Sequence, residues 1–241
     1  MAIEIFNRYE NKYMISRDVY QKMLKDLLRK MKYDRHNKDG EFYSIYNVYY
    51  DTVDDYLIRR SLEKPIYKEK IRVRSYENPI GNGDMVFVEL KKKFDGLVNK
   101  RRTKMTLGEA KRFLAGEKIE HMEHMNSQIV REIEEVAKRA PLAPKLNISY
   151  ERMALFDRED DDLRVSFDRC VCAKWRDEKH GYEKGDKMLL PKDKFLMEVK
   201  VRWAMPLWLT GIIDKYKILP ISFSKYGKEY VNKLKEGLEY V

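Results

Sequence analysis

Charged residues recur at every second position in one short segment of this chain after another, with apolar and aromatic residues in the places between. A period of two belongs to extended strands, whose successive side chains point to opposite faces; a helix repeats its faces every 3.6 residues. The pattern runs through residues 4–15, 66–77, 84–93, 97–106, 145–155, 162–174 and 194–202, and 42–51, rich in Tyr, Ile and Val, reads as a further strand. Together these segments predict about eight strands. The stretches 78–84 and 94–96, rich in Asn, Asp and Gly, supply the turns that would join three of these segments into a meander. The charged stretch from Asp177 to Lys187 reads as an exposed hairpin loop.

Helices are fewer. Ser16 is suited to cap a helix in which Val19, Tyr20, Met23, Leu24, Leu27, Leu28 and Met31 form one apolar stripe. Thr106 opens a short helix over 107–115, a third covers 126–139 and stops before Pro141, Pro206 starts a fourth to Lys215, and a last one runs from Lys225 to Leu238. The fold class that follows is α+β, a closed antiparallel β-barrel of about eight strands with helices packed outside. With no linker or repeat in view, residues 1–241 are expected to form a single domain.

The chain carries 50 Lys and Arg against 40 Asp and Glu, a net charge of +10, which points to a polyanionic partner. The N-terminal residues lack the basic start and apolar run of a secretory signal, and no stretch reaches the ~18 apolar residues of a membrane span. The expectation is a soluble, cytoplasmic chain, for which any tie to a membrane would need a membrane-protein partner. Cys170 and Cys172 fall on one strand face and read as two packed, reduced thiols.

The phase of each strand sorts its charges. Arg8, Glu10 and Lys12 share one face, as do Lys70, Arg72 and Arg74; Glu89 and Lys91; Lys100 and Arg102; Arg164, Ser166 and Asp168; and Glu198 and Lys200. Arg101 would replace Lys100 and Arg102 if that strand took the opposite phase. For a single strand this alternation means only one wet face. Summed with Arg152 and Lys225, the faces carry twelve cations and three glutamates, Glu10, Glu89 and Glu198. Like charges on paired strands repel, so such an excess persists where an anion neutralises it. In a barrel of ~8 strands the interior holds side chains or one slender ligand. An extended phosphate chain fits that space and a nucleic-acid duplex does not, so no nucleic-acid partner is expected. Carboxylates beside phosphate oxygens make an oxygen-donor site for Mg²⁺ or Mn²⁺, with Glu198, Glu10 and Glu89 as candidate ligands.

The ordered motifs Arg8 to Tyr13, Tyr49 to Thr52, Lys70 to Tyr76, Val88 to Lys91, Lys100 to Arg102, Tyr150 to Ala154, Met197 to Lys200 and Ser222 to Tyr226 resemble the polyphosphate polymerase (VTC) domain of the CYTH-like triphosphate tunnel metalloenzymes. The resemblance implies a triphosphate tunnel fold that binds ATP, inorganic polyphosphate and triphosphate. It implies a phosphotransferase that adds the γ-phosphate of ATP to a growing polyphosphate chain. By the resemblance Lys12, Arg72, Arg74, Lys91 and Lys200 would be catalytic, with Arg60, Arg152, Arg164 and Lys225 binding phosphates and Glu198 holding Mn²⁺ or Mg²⁺, and the strand faces add Arg8, Lys70, Lys100, Arg101 and Arg102 to the phosphate-binding set. Arg60 enters through the resemblance alone, its own segment reading as helix or turn. Arg8 stands where the wider superfamily carries the first Glu of an E-x-E-x-K motif, which favours transfer to phosphate over hydrolysis. The alternatives are a tripolyphosphatase or nucleoside triphosphatase of the same fold, or a non-catalytic polyphosphate or inositol-phosphate binding module.

Overall fold

A computed structural model describes residues 5–37, 40–77, 81–176 and 187–238. Eight long strands form where the sequence predicts them: β1 (Ile5–Ser16), β3 (Tyr43–Thr52), β4 (Tyr67–Ser75), β5 (Met85–Phe94), β6 (Leu97–Thr106), β7 (Leu142–Asp157), β8 (Arg164–Trp175) and β10 (Lys194–Val201). They pair antiparallel in the order β7-β3-β4-β5-β6-β1-β10-β8, and β8 pairs back onto β7 to close the ring. Two short strands, β2 (Met31–Tyr33) on β7 and β9 (Lys187–Met188) on β8, complete the ten-stranded sheet. Closure demands stagger. β1 supplies it by pairing with β6 through Ile5 to Arg8 and with β10 from Tyr9 onward.

Among the described residues there are six helices: α1 (Arg17–Leu27), α2 (Tyr56–Leu62), α3 (Leu107–Leu114), α4 (Ser127–Ala137), α5 (Leu207–Lys215) and α6 (Lys225–Leu238). Their starts follow from local chemistry. Ser16 accepts from the Val19 amide, Thr106 and Glu109 form a reciprocal capping box, and Asn126 accepts from the Gln128 and Ile129 amides. The outward, apolar residues of β4, β5 and β6 pack under α3 and α4, and those of β1, β7, β8 and β10 under α1 and α5. Burying these two faces outside the ring commits the charged residues to its interior.

Three expectations are corrected. α1 ends at Leu27, and Met31 opens β2, because a turn at Leu28 to Lys30 returns the chain to pair with Leu155–Asp157. Met31 still lies in the same apolar cluster as Met23 and Leu27, so its spacing matched a helix. The two cysteines are not packed side by side: Cys170, at φ 50°, sits in a bulge between β7 and β8 and is exposed, with Cys172 partly buried. Both are free thiols. Lastly, α6 does not stay outside the barrel: Lys225, Gly227, Lys228 and Val231 reach the interior cavity. Its Tyr226 and Tyr230 pack with Ile58 of α2 against Tyr49, Ile148, Tyr150 and Val171, which makes a third apolar cluster. The stretches 78–80 and 177–186, read as turn and hairpin loop, lie outside the described residues.

Candidate functional site

The ring encloses a cavity of about 720 Å³. Among the described residues sixteen basic side chains line it: Arg8, Lys12, Lys64, Lys68, Lys70, Arg72, Arg74, Lys91, Lys93, Lys100, Arg102, Arg152, Arg164, Lys200, Lys225 and Lys228. Glu10 and Glu198 share the lining. Strand register builds this surface by stacking inward residues on neighbours: Lys12 faces Glu198 and Glu10 faces Lys200 across β1 and β10, and Lys91 stands between Lys70 of β4 and Lys100 of β6.

Buried acids hold the cations in place. Glu89, sealed in the wall at 1% exposure, accepts from Arg72 Nε at 2.8 Å and Lys100 Nζ at 3.1 Å, with Arg74 Nε 4.0 Å away. Burial opposes its charge, yet Arg74, Lys100 and Arg72 outweigh burial and hold the carboxyl well below its ordinary range. Arg72 also donates to the Tyr49 hydroxyl, and Arg74 to Asn47 Oδ1 and the Tyr150 hydroxyl. Across the cavity Asp168, fully buried, accepts from Arg152 Nε at 2.6 Å and Nη2 at 2.8 Å and from Lys225 Nζ at 2.6 Å.

Glu198 sits among four cations: Lys200 at 3.3 Å, Lys12 and Arg152 at 3.5 Å, and Lys225 at 3.7 Å. Burial works against its ionisation, but Lys225, Lys12, Lys200 and Arg152 prevail and keep it well below the usual carboxylate value. Glu10 accepts from Lys91 at 2.6 Å. Burial raises it, but Lys91 and Lys200 bring it down to about 2. Burial moves Lys70 and Lys200 toward neutrality. Burial, with Lys12 and Lys91 nearby, lowers Lys70 to about 7, and among the described residues its hydrogen bond goes to Ser224 Oγ at 2.8 Å. Lys200 is likewise lowered to about 7, burial exceeding the pull of Glu198.

Of the residues singled out in the sequence, the structure gathers Arg8, Glu10, Lys12, Lys70, Arg72, Arg74, Lys91, Lys100, Arg102, Arg152, Arg164, Glu198, Lys200 and Lys225 around the cavity. Two are placed elsewhere. Arg60 is exposed on α2 and pairs with Glu63, and Arg101 lies on the outer face of β6, 3.4 Å from Glu132 of α4. Glu89 is a counter-ion inside the wall rather than a group of the lining. Lys64, Lys68, Lys93 and Lys228 also reach the cavity. Lys68 and Lys93 continue the period-two phase of Lys70 and Lys91, and that phase marks Asp168 too as inward beside Ser166.

Two motifs meet away from the charges. Asp51 accepts from the Leu57 and Ile58 amides, which starts α2, and from the Tyr226 hydroxyl, which fastens α6. That contact sets Lys225 at its place in the cavity.

Against known families, the model described as "VTC domain" matches residues 7–232. No curated protein matches the sequence. Among solved structures, a Bacillus halodurans protein proposed to be an adenylate cyclase is similar at TM-score 0.53 and 14% identity, over 92% of this chain and 96% of that one. HpAC1 from Hippeastrum, proposed as an adenylyl cyclase and described as having a dominant triphosphatase activity, is similar at TM-score 0.47 and 14% identity, over 93% of each chain.

Proposed function

Because this chain belongs to the VTC domain family, we propose that it is a metal-dependent polyphosphate polymerase, transferring the γ-phosphate of ATP to a polyphosphate chain held in the barrel. The observation that carries the reading is the lining itself. Among the described residues sixteen basic side chains converge on one enclosed cavity with Glu10 and Glu198 among them and Glu89 and Asp168 behind them, a surplus of basic groups that a multiply charged anion would balance.

In the transfer, an oxygen of the terminal phosphate of the chain forms a bond to the γ-phosphorus of ATP. The bond from that phosphorus to the β,γ-bridging oxygen breaks, and ADP leaves with the electron pair. The acceptor is already ionised, so no protein nucleophile is needed. Arg72, Arg74 and Arg152, fixed by Glu89, Asn47 and Asp168, present oriented donors to the phosphate oxygens without rearrangement. Lys12, Lys91 and Lys200 neutralise charge that builds on the bridging and terminal oxygens. Arg8, buried in the lining, adds a cation in place of a carboxylate, which favours holding a second phosphate chain over orienting water.

Among the described residues no group of three or more His, Cys, Asp and Glu side chains is placed to hold a metal. Mg²⁺ typically takes one or two carboxylates and completes its shell with substrate phosphates and water. Glu198 and Glu10 fit that donor set, lying diagonally across the β1–β10 pair on the cavity face. A divalent ion there would supply charge neutralisation at the triphosphate. Glu89, saturated by arginine and lysine, does not fit.

Incubation with ATP and Mn²⁺ tests the reading. Chains lengthening on a gel in step with ADP formation are expected. Free phosphate released in step with ADP, with no chain, would replace the polymerase with the hydrolase. Tight tripolyphosphate binding without turnover would leave a binding module.

A further inference from the structure

We propose that the rim of the cavity framed by Tyr43 and Tyr76 is a nucleobase platform, on which the base of a nucleoside triphosphate stacks while its phosphates run inward to Arg102 and Arg164. The inference rests on the reading of the cavity as a nucleotide-donor site and adds the part of the donor that the cations do not address.

Four rings gather at this rim. His36 and Tyr76 lie parallel within 7°, with centroids 6.0 Å apart. Tyr43 stands 5.9 Å from His36 and 6.1 Å from Tyr76, and Phe87 meets Tyr76 edge-on at 6.0 Å. Aromatic rings in this chain commonly fill its core, as Tyr20, Phe167 and Phe195 do. His36 and Tyr76 are exposed, and Tyr43 and Tyr76 line the cavity. Their stacking therefore does not serve burial, and it leaves ring surface turned toward the space where the ligand lies.

The rings are joined to the phosphate-binding surface. The Arg102 guanidinium lies 4.7 Å from the centre of the Phe87 ring, and Arg164 Nη2 is 3.4 Å from the Tyr43 hydroxyl. These two cations of the lining thus lie beside the platform, as the first phosphate of a nucleotide lies one sugar away from its base.

Both segments that carry the outer rings are pinned. Asp34 accepts from the His36 amide and pairs with Arg164 at 2.9 Å. Asn37, buried, donates to the Glu41 and Arg152 carbonyls and accepts from the Ala154 amide. Ser75 closes a turn under Tyr76 by bonding to both backbone groups of Glu77. A platform fixed before the ligand arrives spares the ordering cost of binding. Stacking reads no hydrogen-bond pattern, so the platform would take any base, the larger purines best.

The experiment is calorimetric titration of wild type, Tyr76→Ala and Tyr76→Phe with ATP and, separately, with tripolyphosphate, which has no base. Loss of one stacking partner is expected to weaken ATP by about tenfold or more. Tripolyphosphate should keep its affinity within about twofold, which also certifies that the variant folds, and Tyr76→Phe should retain the ATP affinity of wild type. If Tyr76→Ala weakens both ligands alike, or weakens neither, the platform is overturned while the phosphate site stands. If wild type binds neither ligand, the donor-site reading falls with it.

Discussion

Replacing Lys70 with Met should stabilise the empty protein and cripple its ligand affinity. The ammonium, ordinarily at 10.5, falls to about 7 through burial and the proximity of Lys12 and Lys91. At about 1.4 kcal/mol per pH unit, holding it charged in the folded state costs at most about 5 kcal/mol. Methionine keeps the stem and removes the charge, and since repulsion between Lys12 and Lys91 survives, the expected gain is roughly 2–4 kcal/mol. For a chain of this size that is roughly 5–15 °C in Tm. The sign fixes the pH window. Below about 7 the folded lysine is charged and the cost is felt in full. Between about 7 and 10.5 the unfolded chain holds a proton that the folded chain has released, so wild-type stability rises with pH and the advantage of Lys70→Met shrinks. Thermal melts in chloride buffer, free of phosphate and sulfate, at pH 6 and pH 9 measure both. The same variant should bind tripolyphosphate about tenfold more weakly, a charged hydrogen bond being worth about 1.5–3 kcal/mol. Equal or lower melting of Lys70→Met at pH 6, or an advantage that does not shrink by pH 9, would refute the reasoning.

Glu198→Gln should abolish metal-dependent turnover while tripolyphosphate still binds, and it should cost roughly 3–5 kcal/mol of stability by leaving four cations without their shared counter-ion; wild-type chain synthesis by this variant would rule out the metal assignment. Arg60→Ala and Arg101→Ala, outside the cavity, should leave tripolyphosphate affinity within about twofold, whereas Arg102→Ala should lower it by about tenfold, and titration of the three variants side by side decides between them. Glu10, ordinarily at 4.5 and here at about 2, contributes stability that is present above 4.5 and lost as pH falls toward 2. Glu10→Gln should therefore flatten the acid-unfolding profile in that window by roughly 1–3 kcal/mol, and a circular-dichroism titration superimposable on wild type would contradict this.

The barrel was legible because every strand has one face sealed by apolar packing, which forces a period of two and sets the phase of each charge. Lys70, Arg72 and Arg74 pointed inward for the same reason that Ile71 and Val73 pointed out to α3 and α4. What broke the period was not legible. A bulge adds one residue without changing composition, so Cys170 passed for an ordinary strand position. Arg101 followed Lys100 in a run of three cations, and only the position of Glu132 on α4 shows which face it takes. Arg60 lies on a helix, where no strand phase applies. The platform at Tyr43 and Tyr76 was hidden by the rule that aromatics at strand spacing belong to the core, which fails where a strand ends at an open rim.

The cations of the cavity divide into two kinds. Arg72, Arg74, Arg152 and Lys225 each lean on Glu89 or Asp168, acids so deep in the wall that a ligand does not compete for them, whereas burial holds Lys100 well below its ordinary value despite Glu89. The first four stand charged and aimed in the empty protein, the condition under which donors stabilise a transferring phosphoryl group without reorganisation. Lys70 and Lys200 differ: burial lowers both to about 7, Lys70 bonds to a serine hydroxyl, and Lys200 shares Glu198 with three other cations. Near neutral pH they are only partly charged until an anion arrives to stabilise the ammonium, and binding then draws protons in with the ligand. Filling the whole lining with fully charged side chains would set uncompensated cations against one another in a low-dielectric interior. Letting buried lysines charge on demand relieves that repulsion in the empty state and makes proton uptake part of binding, and for that reason Lys70→Met separates stability from binding.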